Sequence, residues 1–326
     1  MRALVVDDTL EVTEVRPPIP EPEEAVIAVH RAGICGTDLA ILGGYADYRG
    51  VLGHEFVGEV VDAEMAPQWL GRRVVGEIGV PCGRCDRCRR GMPNHCTRRE
   101  VIGLRGRAGA LAEEVVLPVG NLHEVPDSVD DDAAVFVEPL AAAFRILEQV
   151  EVGASTRVGV WGDGKLGLLT AMVMATTGCH LTVVGRHPHK LDLIRYTGAT
   201  VRTPDDVLRP DFDLTIDATG RTSGFNAALA NVRPQGTVVL KSTLADAPPL
   251  NAARLVVDEI RLLGSRCGPF EPAIAALANG TIDPRPLVEA VYPLSRGVDA
   301  VEHAARPGAL KVLVDPRNAE PQEHPA

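Results

Sequence analysis

The rhythm of apolar positions changes once along the chain. Up to about residue 140, apolar residues come in short runs broken by Gly and Pro, as in RALVV, EAVIAVH, GEVVDAE, RRVVGEI and AEEVVLP. Such runs predict strands in a non-repeating, mostly antiparallel lobe. From about 157 to 267, apolar strands alternate with helical patterns. RVGVW precedes KLGLLTAMVMATTG, LTVVG precedes HKLDLIRYTG, and ATVR, DLTIDATG and GTVVLKST follow in turn. This alternation predicts a parallel sheet covered on both faces. The pattern then returns to one strand, a helix over SRGVDAVEHAAR and a last strand, ALKVLVD, before a tail, PRNAEPQEHPA, that is expected to fray. The expected fold class is therefore α/β. A doubly wound parallel sheet covers about 141–284, and a mainly β domain covers 1–140, completed by about 285–326.

Composition narrows the function classes. A chain of 326 residues has room for about two domains. Hydrophobic residues at 45% and charged residues at 24% are ordinary for a soluble globular protein. A net charge of −11 supplies no global field for nucleic acid or an anionic membrane. The start, MRALVVDDTLEV, carries acids and lacks a long apolar run, unlike a secretory signal. No stretch approaches the roughly 20 apolar residues of a membrane span. A cytoplasmic protein is expected, and its seven cysteines then argue for metal rather than disulfides.

Four of those cysteines, Cys82, Cys85, Cys88 and Cys96, lie in PCGRCDRCRRGMPNHC with the spacing C-x2-C-x2-C-x7-C. Four thiolates fill a tetrahedral zinc and leave no open position. The stretch therefore reads as a structural zinc site that closes a loop with little core. Arg84, Arg87, Arg89 and Arg90 would offset the excess negative charge of the centre. They also admit a second reading, a zinc ribbon that binds nucleic acid, which the acidic balance of the chain opposes.

After RVGVW comes Gly162-Asp163-Gly164-Lys165-Leu166-Gly167 and then an apolar helix. Strand, tight turn and helix start are the context in which G-x-G-x-x-G binds a dinucleotide. Gly162 permits the turn, Gly164 lets backbone approach a pyrophosphate, and Gly167 lets the helix pack on the sheet. Free N–H groups at the start of the helix, from Lys165 and Leu166 onward, would face the phosphates. The alternative is a glycine turn that binds nothing. An acid that reads the adenosine ribose is expected at the end of the second strand, about 20 residues on. Gly185 stands there instead, followed by Arg186, His187 and, further on, Lys190. The missing acid and the nearby cations predict NADP(H) in preference to NAD(H).

A second set of ligand-type residues lies in ICGTDLAILGGYADYRGVLGHEFVGEVV. Cys35, His54 and Glu55 together suit Zn²⁺ with one position open for catalysis. Glu138, in VEPLAAAF, is a candidate fourth or alternating ligand. Singly, each has a plainer reading: a buried thiol, a core histidine, a solvated acid, a charge at a helix start. Taken in order, Cys-Gly-x-Asp, Gly-His-Glu, the four-cysteine lobe, Glu-Pro-Leu and the glycine turn resemble the zinc-containing medium-chain dehydrogenases, over about residues 1–315.

The resemblance implies a GroES-like catalytic domain beside the Rossmann domain, two zinc ions per chain, and a homodimer or homotetramer. It implies reversible alcohol–carbonyl conversion, with zinc as Lewis acid and hydride passing to or from nicotinamide. By the same resemblance, Cys35, His54 and Glu55 hold the catalytic zinc and Glu138 ligates it directly or through water. Asp38 orients the histidine, Thr37 takes the hydroxyl proton, and Lys311 lies near the cofactor pyrophosphate. The Glu55 and Glu138 pattern is nearer the polyol and threonine branch than the liver alcohol branch, which has a cysteine as third ligand. Many relatives carry a histidine five residues after the zinc cysteine, where this chain has Ala40. The outer end of the proton relay must therefore be something else. Between the zinc ligands, Tyr45 and Tyr48 are either polyol hydrogen-bonders or packed aromatics. A zinc-free reductase on the same fold is the rival enzyme reading.

Overall fold

The computed structural model describes residues 1–206, 210–243, 250–317 and 322–323. It divides into two compact units, Met1–Glu138 with Ile274–Ala326, and Pro139–Ala273. The expected fraying of the tail falls partly on 318–321 and 324–326, which lie outside the described residues.

The first unit is built on the ten-residue strand Glu24–Gly33. Ala25, Val26, Ile27, Val29 and Ala32 are all buried, which suits a strand packed on both faces. It pairs antiparallel with Glu55–Asp62, Glu114–Pro118 and Lys311–Asp315. Ile27, Val29, Ile34, Phe56, Leu117, Val312 and Val314 share one buried core. The register sets Gly33 opposite both Glu55 and Leu313. Residues far apart in sequence thereby meet at one end of the sheet. Lys311–Asp315 also runs parallel to Val288–Pro293, so the lobe is not wholly antiparallel. A separate three-stranded sheet, Gly79–Val80, Glu100–Ile102 and Gly106–Arg107, flanks the cysteine lobe.

The second unit carries six parallel strands, ordered Thr200–Arg202, His180–Val184, Arg157–Trp161, Phe212–Asp217, Val232–Leu240 and Arg261–Gly264. Counted along the chain this is 3-2-1-4-5-6, the Rossmann order, with its switch point beside the first strand. The helix Lys165–Ala175 is buried continuously from Gly167 to Met174, as an all-round apolar helix must be. The helix expected over HKLDLIRYTG is shorter. Pro188–Asp192 forms one helix and Arg195–Thr197 a separate 3-10 turn. The break falls at Ile194, which is fully buried and has left the helical region at φ −112°. Among the described residues no helix is long and apolar enough to cross a membrane.

Candidate active site

Cys35, His54 and Glu55 converge in the first unit, with one ligand atom from each lying within 4.8 Å of the others. Cys35 caps the helix Gly36–Leu42 with an extended backbone, and its N–H donates to Asp38 Oδ2 at 2.8 Å. Asp38 is wholly buried, and its other oxygen accepts the Gly53 N–H at 3.2 Å and lies 3.5 Å from His54 Nδ1. That last separation is long for a hydrogen bond, and Nδ1 has no closer partner. Because Nδ1 faces Asp38, Nε2 is the nitrogen left for a metal, as in carboxylate–histidine–zinc sites. Burial opposes the charged imidazole, but Asp38 and Cys35 outweigh it and hold its pKa well above the usual value. A thiol, an imidazole and a carboxylate, all convergent and largely buried, with a carboxylate behind the histidine, fit zinc.

Glu55 owes its place to Gly33. A β-carbon on residue 33 would lie 2.5 Å from Glu55 Oε2. The same oxygen accepts a hydrogen bond from Lys311, whose ammonium is buried 5.5 Å from the centre of the Phe136 ring. Lys311, expected near a cofactor pyrophosphate, is thus paired with Glu55. Its charge is taken up by Glu55 inside the first unit, because the final strand enters the middle of the sheet. Burial would lower its pKa, but Glu55 and then Cys35 more than reverse that and hold it raised. Replacing Lys311 by methionine leaves Glu55 buried and unpaired, with an expected loss of about 3–5 kcal/mol in zinc-free protein. The loss should be smaller with zinc bound, since the metal compensates the carboxylate. Urea unfolding with and without zinc measures both.

Glu138 lies outside the three-residue set, half-buried at the start of the helix Val137–Gln149, close enough to act electrostatically on Lys311. Thr37 is half-buried, with its hydroxyl 3.7 Å from Cys35 Sγ. Ala40 is exposed. The Tyr48 hydroxyl lies 2.8 Å from the Val51 carbonyl and 3.0 Å from that of Arg107, and burial pushes its pKa up to about 12. Tyr48 is thus the packed aromatic of the two alternatives. Tyr45 is 48% exposed, in a turn where Ala46 and Asp47 take left-handed φ of 66° and 46°.

The four clustered cysteines also converge, within 4.8 Å. Cys85 Sγ is 3.5 Å from Cys88 Sγ and 3.8 Å from Cys96 Sγ, and all seven cysteines are unbridged. Backbone N–H groups of Cys88 and Thr97 pull the Cys85 thiol down to about 5. Burial and then the neighbouring Cys85 push Cys88 up to about 12. Without a cation the cluster cannot hold four thiolates, and four convergent thiols are a set that would suit zinc. Of the expected arginines, Arg87 donates to the His95 carbonyl at 2.9 Å and Arg90 pairs with Asp86 at 3.3 Å. These two serve the lobe itself.

In the second unit the three glycines differ as dinucleotide binding requires. Gly162 has φ 121°, and a β-carbon there would meet the Ala218 carbonyl at 2.8 Å. A β-carbon on Gly167 would lie 2.1 Å from the Gly162 carbonyl, so this glycine permits the helix–strand contact. Gly164 faces open space, as a phosphate-approaching backbone must. Lys165 and Leu166 follow in the first turn of the helix. Lys190, expected at the cofactor, is only 3% exposed, so its stem is packed away rather than offered to a phosphate. Arg186 is exposed. Sequence reasoning missed Asp163. Its Oδ2 accepts from the His187 backbone at 2.7 Å and lies 3.0 Å from His187 Nδ1. A carboxylate does therefore stand beside Gly185, so the absent acid no longer supports NADP(H).

Comparison with known proteins agrees with this geometry. Residues 21–127 match the alcohol dehydrogenase GroES-like domain, and residues 131–315 the glucose dehydrogenase C-terminus. An L-threonine 3-dehydrogenase of Streptomyces coelicolor is 33% identical, covering 91% of this chain and 94% of its own length. A sorbitol dehydrogenase of Bacillus subtilis is 27% identical, covering 97% of both chains. Among solved structures, one described as a zinc-binding dehydrogenase of Sinorhizobium meliloti, bound to NADP, superposes with a TM-score of 0.88 at 28% identity, over 97% of this chain and 99% of that one. One described as a short chain alcohol dehydrogenase of E. coli, complexed with NADH, gives 0.89 at 26% identity, over 97% and 99%.

Proposed function

Because the chain belongs to the zinc-type medium-chain alcohol dehydrogenase family, we propose that it interconverts a small alcohol, of the polyol or sugar class, and its carbonyl with a nicotinamide cofactor. It is an alcohol dehydrogenase-like oxidoreductase with a GroES-like domain and a Rossmann domain. The observation that carries the reading is the convergence of Cys35, His54 and Glu55 in front of buried Asp38. Relatives named as sorbitol, D-arabitol-phosphate and erythritol/L-threitol dehydrogenases support the polyol class.

When bound, zinc at Cys35, His54 and Glu55 supplies Lewis acidity toward an alcohol oxygen, and the nicotinamide exchanges hydride with the carbinol carbon. Asp38 does two jobs through its two oxygens. One fixes the Cys35 backbone, and the other faces His54 Nδ1 at 3.5 Å, which leaves Nε2 for the metal. Thr37, beside Cys35, receives the substrate hydroxyl proton. With Ala40 exposed in place of a histidine, that proton passes to water at the open helix face. In the second unit, backbone N–H groups after Gly164 bind the pyrophosphate. Glu138 acts on the metal from outside the three-ligand set. Glu138→Gln should lower zinc retention or turnover by about 10- to 100-fold, read by dialysis against a chelator and by kcat.

A second zinc at Cys82, Cys85, Cys88 and Cys96 closes its loop. A homo-oligomer forms through the edge strand Arg261–Gly264, where Leu262 is 37% exposed, beside the end of the helix Ala252–Val257, where Val256 and Val257 are 76% and 79% exposed. Seven unbridged thiols suit the cytoplasm. The proposal is tested by a screen of alcohols, polyols and aldehydes with both cofactors. Zinc-dependent reduction of NAD or NADP by a polyol is expected. Turnover that survives complete zinc removal contradicts the reading.

A further inference from the structure

The side chain of Asp163 comes from the glycine turn, yet it occupies the end of the second strand. A β-carbon on Gly185 would lie 2.5 Å from Asp163 Cβ and 2.6 Å from its Oδ2. No real pair of atoms tolerates that approach. Gly185 is not in the left-handed region, so glycine is needed there for space and not for backbone conformation. The turn and the strand end have one place for a carboxylate, and this chain fills it from the turn. Asp163 is 9% exposed, and His187 holds its Oδ2 through the backbone N–H and the ring. Oδ1 carries no hydrogen bond among the described residues. One oxygen is thus anchored and the other remains an acceptor.

We propose that Asp163 is the ribose-reading carboxylate of the dinucleotide site and that it selects NAD(H) over NADP(H). The inference rests on the cofactor reading above. A carboxylate at this place accepts hydrogen bonds from the ribose hydroxyls, and it repels the charge of a 2′-phosphate. Arg186 is exposed and makes no ion pair or hydrogen bond among the described residues. It offers a phosphate a partner next to that repulsion, so the discrimination is moderate.

The test is calorimetric binding to the full-length zinc-loaded protein, with ADP-ribose and 2′-phospho-ADP-ribose as probes that cannot turn over. The wild type should prefer ADP-ribose by about tenfold. Asp163→Ala should weaken ADP-ribose and strengthen the phosphorylated probe, moving the ratio by about 10- to 100-fold, the scale of a hydrogen bond to a charged group. Asp163→Asn keeps an acceptor for His187, so it safeguards the test if the alanine variant does not fold, and it should move the ratio the same way. Asp163→Gly combined with Gly185→Asp removes the β-carbon at 163 that would lie 2.5 Å from the new one, returns the carboxylate to the strand end and should restore the wild-type preference. A wild type that favours the phosphorylated probe, or variants that weaken both probes equally, would overturn the inference and leave the cofactor reading standing. Failure of both probes to bind the wild type would overturn both.

Discussion

Replacing Cys35 by serine abolishes turnover and leaves the chain folded. A neutral hydroxyl is a poor substitute for a thiolate on zinc. The expected loss in kcat is at least about 10³-fold, because Lewis-acid stabilisation amounts to several kcal/mol. The fold should survive for a local reason. Position 35 caps the helix Gly36–Leu42 with an extended backbone, and its N–H is already held by Asp38. Serine is a favoured residue at such a cap. Circular dichroism and the melting temperature should therefore match the wild type. Full activity in purified Cys35→Ser protein with no zinc at that site would remove Cys35 from the chemistry.

Replacing Cys88 by serine has the opposite signature. Between Val80 and Ile102 the buried apolar residues are Cys96, Val101 and Ile102 alone. So little core cannot hold an irregular loop, and a structural zinc carries folding energy outright. Loss of one of four ligands should cost several kcal/mol and lower the melting temperature by roughly 5–10 °C. Protein that remains folded should still turn over, because the loop supplies no group to the other metal set. Scanning calorimetry of wild type and variant, each with and without chelator, checks this. A variant that melts with the wild type would strip the cysteine lobe of its structural role.

Features that depend on local spacing were legible in the sequence. The glycine turn was readable because strand, turn and helix are consecutive, and each glycine has a separate steric duty. The convergence of the four cysteines was readable because they lie within one loop. Cys35, His54 and Glu55 were readable as residue types, since few other chemistries bring thiol, imidazole and carboxylate together. The pairing of Lys311 with Glu55 was not legible because it is set by sheet register across 256 residues, which no local pattern encodes. Asp163 was missed because a search for the ribose acid counts forward to the strand end. The acid here comes from the turn 24 residues earlier than the histidine that holds it. The glycine at 185 was the available signal, since an absent side chain at a strand end implies that another group fills the space. The helix after the second strand broke early at Ile194, where burial overrode the helical pattern.

The central claim is that one metal set works and the other holds the fold. Zinc content per chain, measured by mass spectrometry on purified wild type and on the two serine variants, tests it most directly. The account predicts two zinc ions in the wild type and one in each variant, with turnover lost in Cys35→Ser and thermal stability lost in Cys88→Ser. A wild type with a single zinc ion, or a Cys35→Ser protein that keeps both ions, would contradict it.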